Sequence, residues 1–454
     1  MMKPNLKLAT ATVAMAAAVV ALRADVPHVY AIKGARIITV SGAAIPSGTI
    51  VVRNGVIEAV GAGVDAPKDA RVIEGVGLTV YPGLIDMGSS AGVDQTLAQQ
   101  PANLRTTEEA ERWKRAQIFR PDFDVAAQIR GEAPEVVRYA SAGITSVLAL
   151  PGGSVVKGRS ALVNVAGPVD EPPVGNVGDY RRGLQVVKAP VALHIDFPNG
   201  ARGDGYPASL LGVISFVRQS FLDAQHQQLV NQRYERVKSA AARPNYDPSL
   251  DALQPALQGK VPVAFEVNTA REIGRSLDMA KEFKLDPVIY GGREADQVAA
   301  DLKARNARVI YNVNYPTRSR ALSPDADESL EALRTRANAP RVPAALHKAG
   351  IPFGFSGAGL REPRDFVRNV ARAVREGLTA DAALRAMTAD AAKIAGVADR
   401  LGTLEKGRIA NVLVTEGDLF DERMKVKHVF VDGRLVPIDD APAQPERRGG
   451  RGGR

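Results

Sequence analysis

Few residues in this chain could carry catalytic or metal chemistry, and their types narrow that chemistry at once. The 454 residues include no cysteine and only five histidines, which excludes thiolate metal sites, disulfides and Cys-His nucleophile pairs. His28 lies near the start, His226 and His347 fall in helical stretches, and His428 lies in a strand-like run near the end. His194 alone belongs to an apolar run in the middle of the chain, and Asp196 follows two residues on, a spacing that points both side chains to one face of a strand. Glu266 closes a second such run. A carboxylate in a partly closed cleft has a raised pKa and can act as a general base, and the trio His194, Asp196 and Glu266 is the one place where a divalent metal, zinc above all, could be held. Asn268, Tyr290, Asn312, Asn314 and Ser356 also end strand-like runs. Their amide and hydroxyl groups suit a pocket that fixes a ligand by hydrogen bonds, and they equally suit the finishing of turns.

Elements that alternate must hold these residues side by side. Apolar runs of strand length occur at Thr79 to Asp86, Ile144 to Leu150, Val191 to Asp196, Pro262 to Asn268, Pro287 to Tyr290, Arg308 to Asn312 and Pro352 to Phe355. Helical spacing separates the later ones, with Ile273, Leu277 and Ala280 on one face, Ala295, Val298 and Leu302 on the next, and Phe366, Val370 and Val374 on another. Strand and helix in alternation predict parallel βα units and an α/β chain built as a (β/α)8 TIM barrel over residues 81–401. Chemistry in such a barrel sits at the carboxyl ends of the strands. Residues 27–80 and 402–438 carry short alternating runs punctuated by Gly and Pro, which predicts a small β-sandwich domain assembled from both ends of the chain. The stretch 96–260 reads as barrel plus an inserted cap, with a helix over Leu210 to Gln228.

The two ends read differently from the body. Lys3 and Lys7 precede an apolar stretch from Leu8 to Leu22, followed by Arg23 and Ala24; that is the pattern of a signal peptide over residues 1–24, too short for a comfortable membrane span, and it predicts a periplasmic or secreted protein with no stable membrane span once the signal is removed, a retained anchor being the alternative. Residues 441–454, rich in Pro, Gly and Arg, read as a disordered tail. Much of the net charge of +9 comes from these ends, and the body lacks a basic, aromatic-interleaved surface, so nucleic acid is not an expected partner.

The segment Val80-Tyr81-Pro82-Gly83-Leu84-Ile85-Asp86 resembles the strand that opens the amidohydrolase barrel. Gly377-Leu378-Thr379, Ala382-Ala383-Leu384, Thr388 and Ala392, then Gly402-Thr403-Leu404-Glu405-Lys406-Gly407 and Val431-Asp432-Gly433-Arg434, resemble the imidazolonepropionase-like branch of that superfamily. The resemblance implies a metal-dependent hydrolase of non-peptide C–N bonds, with two histidines from the first strand, one from each of two later strands and an aspartate from the last. A metal so held lowers the pKa of water to about 7 and polarises the scissile carbonyl. This chain departs at every such position: Gly88 and Ser90 stand for the first pair, Glu266 and Gly291 for the later histidines, and Ala358 for the aspartate, or Gly357 if the register slips by one.

Two expectations follow. One is a catalytically degenerate, exported amidohydrolase relative with no metal cofactor, acting by binding an unknown small molecule or within a homo-oligomer or a hetero-oligomer with an active paralogue. The other is an active hydrolase of a small amide, cyclic amide or dipeptide-like compound that uses a relocated metal at His194, Asp196 and Glu266, or Glu266 as general base. They differ in structure: loss leaves the space around Gly88, Ser90, Gly291 and Ala358 open or filled by neighbours such as Tyr290, whereas relocation brings His194, Asp196 and Glu266 to within about 4 Å of one another.

Overall fold

The computed structural model describes residues 29–89, 92–93, 105–129, 134–165, 180–181, 184–198, 206–238, 242–319, 321–323, 325–436 and 438. His28, Ser90, the expected signal peptide and the expected tail lie outside the described residues.

The chain starts with β1 (Val29–Ile37), β2 (Ile45–Arg53), β3 (Val56–Gly61), β4 (Arg71–Glu74) and β5 (Leu78–Pro82). β2 pairs antiparallel with β1 and with β3, and β4 and β5 run parallel to β1. Asn54 and Gly55 make the β2–β3 turn with φ of 49° and 86°, the left-handed pair that a two-residue hairpin needs. Pro82 and Gly83 then pass the chain from this sheet to the next, so the run expected as one strand from Thr79 to Asp86 is two. A Cβ at Gly83 would lie 2.1 Å from Thr145 Oγ1, and only glycine lets the crossing strand come so close.

The second part of the chain holds β6 (Leu84–Ser89), β7 (Ile144–Ala149), β8 (Val156–Arg159), β9 (Ala161–Val165), β10 (Tyr180–Arg181), β11 (Leu184–Lys188), β12 (Leu193–Asp196), β13 (Val263–Val267), β14 (Pro287–Gly291), β15 (Arg308–Asn312) and β16 (Phe353–Ser356). They form two sheets, ordered β10-β11-β9-β7-β6 and β16-β15-β14-β13-β12-β8. β6 and β7 are parallel, as are β12 through β16; β8 and β9 run antiparallel to their neighbours β12 and β7. The parallel strands therefore come as two ladders in separate sheets, each flanked by an antiparallel neighbour. β16 lies beside β6, where the Asp86 carboxylate accepts the Gly357 N–H at 2.7 Å.

Side chains alternate along these ladders. Leu84, Val147, Phe265, Ile289, Val309 and Phe355 belong to one hydrophobic cluster, while Ile85, Met87, Leu148, Ala264, Val288 and Ile310 belong to a second. The helix Ala270–Phe283 is closed at its start by a Thr269–Glu272 capping box and buries Ile273, Leu277 and Ala280, the face that the spacing predicts. The second face begins as a 3-10 turn, Ala295–Val298, before the helix Ala299–Ala304. The third lies on Asp365–Arg375, with Phe366 and Val370 buried. The helix expected over Leu210 to Gln228 runs from Leu210 to Arg236. No described helix is long and apolar enough to cross a membrane.

The chain returns through β17 (Val412–Glu416), β18 (Lys425–Val431) and β19 (Arg434–Val436), which join β5 and complete an eight-stranded sheet from both ends of the chain. It is one continuous sheet of mixed direction. A buried polar knot ties it to the α/β part: Asn411 Nδ2 donates to Asn164 Oδ1 at 2.9 Å and to Ser146 Oγ at 3.1 Å, the Asp432 N–H donates to Asn411 Oδ1 at 2.9 Å, and Asn164 Nδ2 donates to Asp432 Oδ1 at 2.6 Å.

Candidate functional site

The polar residues gather where β12, β13 and β14 end. In the ladder, Asp196 is level with Glu266 and Glu266 with Tyr290, so their side chains share a face. His194 Nδ1 lies 3.1 Å from Glu266 Oε1; an ionised carboxylate can only accept, so Nδ1 carries the proton. His194 is fully buried and its Nε2 has no protein partner. A further member is a residue that reading strands in isolation misses: Lys157 Nζ sits 2.5 Å from Glu266 Oε2 and 3.6 Å from Asp196 Oδ2.

Local distortion of β8 brings Lys157 there. Gly158 pairs with His194 and Val156 with Ile195, which leaves Lys157 as the extra residue of a bulge; bulges re-aim side chains in this way. Val155 just before it has φ of 56° and Gly158 just after it φ of 125°, and a β-branched residue in the left-handed region is an outlier held by its surroundings.

The charges settle unevenly. Burial pushes the Glu266 carboxyl up, but the His194 hydrogen bond and the Lys157 ammonium outweigh it, leaving Glu266 below its ordinary value. The general-base role expected of Glu266 required the opposite shift; a carboxylate clamped by two donors is a poor proton acceptor. Asp196 is raised, because burial and the neighbouring Glu266 charge outweigh the more distant ammonium. Burial lowers Lys157, yet the two carboxylates raise it on balance, so it stays charged.

Of the positions that the resemblance assigns to metal ligands, Gly88, Gly291 and Gly357 have neighbours where a side chain would begin. A Cβ at Gly88 would lie 2.0 Å from Tyr290 Oη and 2.2 Å from Ser356 Oγ; these two hydroxyls are 2.6 Å apart in a buried hydrogen bond. At Gly291, with φ of 103°, a Cβ would meet Asn268 Oδ1 at 2.8 Å. At Gly357 it would meet Asp86 Oδ2 at 2.6 Å, while the Ala358 N–H donates to Ser356 Oγ at 3.2 Å. Asn312 Nδ2 donates to the Ala358 carbonyl at 3.1 Å, and Asn312 Oδ1 accepts the Asn314 N–H at 2.7 Å. Asn314 is exposed and does not join the buried group. Asp86, beneath them, is fully enclosed; burial raises its carboxyl to about 7 against the pull of the Gly357 and Gly88 N–H donors.

Residues 290–436 match the family described as "Amidohydrolase family". A solved amidohydrolase from Thermotoga maritima is similar over 90% of this chain and 100% of its own, with a TM-score of 0.71 at 21% identity. A solved prolidase complexed with N-methylphosphonate-L-proline covers 90% of this chain with a TM-score of 0.52 at 18% identity, and a Xaa-Pro dipeptidase with methionine bound in its active site also covers 90%, with a TM-score of 0.52 at 16% identity. The chain thus has an α/β fold similar to that of these solved proteins. In sequence, the chain is 25% identical over 396 residues to Amidohydrolase tasK of Hapsidospora irregularis; the match spans 83% of this chain but only 38% of that relative's length.

The metal that this fold implies can be tested against the donors present. Gly88, Gly291 and Ala358 offer no side-chain donor, and the space at the first two is taken. Glu266 is committed to Lys157 and His194, and an ammonium stands where the alternative trio His194, Asp196 and Glu266 would have to converge. Among the described residues, no three His, Asp or Glu side chains form a group that could hold a metal ion. The donors among the described residues do not fit such a metal.

Proposed function

We propose that this chain is an exported relative of the imidazolonepropionase-like amidohydrolases, its two parallel ladders forming parts of one (β/α)8 barrel, and that it acts by binding rather than by metal-dependent hydrolysis. Its occupant is a small molecule at the barrel mouth or an active paralogue in a shared oligomer. One observation carries this reading: the Tyr290 and Ser356 hydroxyls fill the space that a side chain on residue 88 would need. A site that had merely lost ligands would keep room for them. Here the neighbours have been rebuilt into the gap, and a single reversion at residue 88 would collide with them.

The competing reading, hydrolysis of a small amide or dipeptide-like compound, draws on the likeness to the solved prolidase and dipeptidase. The test is turnover of a panel of dipeptides and cyclic amides by the purified chain, alone and after exposure to zinc, manganese and iron. Absence of turnover in every sample is the expected result. Turnover that disappears in Glu266→Gln would overturn the proposal.

A further inference from the structure

We infer that the outer face of the helix Leu210–Arg236 is a docking surface for an anionic phospholipid bilayer. The helix runs for 27 residues from an N-cap at Ser209. Val213, Val217, Phe221 and Ala224 bury its inner face, and no residue after Ala224 is buried, so roughly the last three turns lie beyond the core. On the opposite side stand three leucines, Leu211 at 74% exposure, Leu222 at 44% and Leu229 at 63%. At about 100° per residue, their spacing brings all three to within about 20° of one line, spread over about 27 Å of helix. Exposed leucines scattered singly carry no meaning. Three on one line make an apolar edge.

The charges beside that edge have one sign. Arg218, Arg233 and Arg236, all exposed, lie within about 40° of the leucine line, and no Asp or Glu of the helix lies within about 60° of it. Arg218 is paired with Glu282 at 2.7 Å. Glu235, the acid between the other two arginines in the chain, is taken by Lys238 at 2.5 Å, which leaves Arg233 and Arg236 to an outside anion. A second copy of this chain does not complement the edge, because it brings the same basic stripe. Its leucines, two to three turns apart, also lack the contacts every three or four residues by which facing helices interlock. A bilayer meets both features: acyl chains close around separated leucines, and anionic headgroups attract the arginines, as for helices that lie in the membrane interface.

The chain has no cysteine, so Gln225→Cys, on the leucine side of the helix, carries a single environment-sensitive fluorophore, and exposed Lys68→Cys serves as the control position. The full-length protein with either label is titrated with vesicles of phosphatidylglycerol and phosphatidylcholine in equal parts, and with vesicles of phosphatidylcholine alone. A blue shift is expected for the label at position 225 with the anionic vesicles only, and none at position 68. Arg233→Gln/Arg236→Gln should raise the lipid concentration at half-maximal shift about 30-fold, and Leu211→Gln/Leu229→Gln at least about tenfold. All four substitutions are on exposed side chains and should leave the thermal midpoint unchanged. The two ends of the chain, basic and in part apolar in sequence, are the same in every variant, so the local reading at position 225 decides. A label there that stays unshifted on vesicle-bound protein overturns the inference, as does an equal shift with phosphatidylcholine alone or a shift that survives both double variants. Self-association without lipid that is lost in Leu211→Gln/Leu229→Gln would place a second copy on this edge and overturn it too. The readout is lipid contact, so turnover, which bears on the proposed function, is a separate result.

Discussion

Adding one carbon at residue 88 probes the closed site most sharply. In Gly88→Ala the new methyl would lie 2.0 Å from Tyr290 Oη, 2.2 Å from Ser356 Oγ and 3.0 Å from Tyr290 Cζ, so the hydroxyls must move by more than about 1 Å to reach ordinary contact. Ser356 is 0% exposed and Tyr290 6%, and neither can retreat into solvent. Overpacking of this kind costs about 1–3 kcal/mol, and parting the 2.6 Å Tyr290–Ser356 hydrogen bond strands two buried hydroxyls for about 1–3 kcal/mol more. The alanine returns about 0.4–1 kcal/mol by restricting the unfolded chain, leaving a net loss of about 1–5 kcal/mol. Urea denaturation of Gly88→Ala, Tyr290→Phe and the double variant forms a cycle, in which removing the hydroxyl should recover about 1–2 kcal/mol of the alanine's cost. A Gly88→Ala loss below about 0.5 kcal/mol, or additive effects in the cycle, would refute the argument that Tyr290 fills this position.

Glu266→Gln should destabilise by about 3 kcal/mol, because it leaves Lys157 facing only the more distant Asp196; denaturant midpoints check this, and a neutral result would mean that the ion pair is not formed in solution. Asp86, raised to about 7 in the folded state from about 3.9 unfolded, holds its proton between those values while the unfolded chain has lost it. Its contribution is therefore full below about pH 4 and is lost as pH rises through about 7, by up to about 4 kcal/mol. Asp86→Asn keeps an oxygen for both N–H donors and should gain stability over wild type from pH 4.5 to pH 8, and parallel pH profiles for the two proteins would contradict this. Asn411→Ala removes contacts to Ser146, Asn164 and the Asp432 N–H at once and should cost about 2–3 kcal/mol. Since those contacts join the β sheet to the α/β part, limited proteolysis should release the two parts separately, and unchanged cleavage would show that the knot does not hold them together.

Local pattern was enough for much of this architecture. The helix face Ile273, Leu277, Ala280 needs only 3.6-residue spacing, and the alternation of strand and helix after residue 260 gives the β13 to β16 ladder. What depended on distant partners was not readable. The break at Gly83 exists because Thr145, far along the chain, presses on it. The antiparallel β8 to β11 strands lie in the stretch where pattern gave no order. Lys157 looks like an ordinary charged residue in a short run, and only its pairing with β12 reveals the bulge that turns it inward; a lysine between Val156 and Gly158 was the one local hint. Missing Lys157 reversed the shift expected of Glu266. Gly88 stood out only through the resemblance, whereas the close approach of the Tyr290 and Ser356 hydroxyls to it belongs to the packed structure.

Metal content bears most directly on the proposal that this chain acts by binding and not by metal-dependent hydrolysis. Purified protein would be stripped by mild chelation, re-exposed to zinc, manganese and iron, desalted and measured by elemental analysis, with hydrolysis of dipeptides and cyclic amides followed on the same samples. The expected result is far less than one metal per chain and no turnover above the buffer rate, whereas about one metal per chain with turnover in proportion to it would contradict the account.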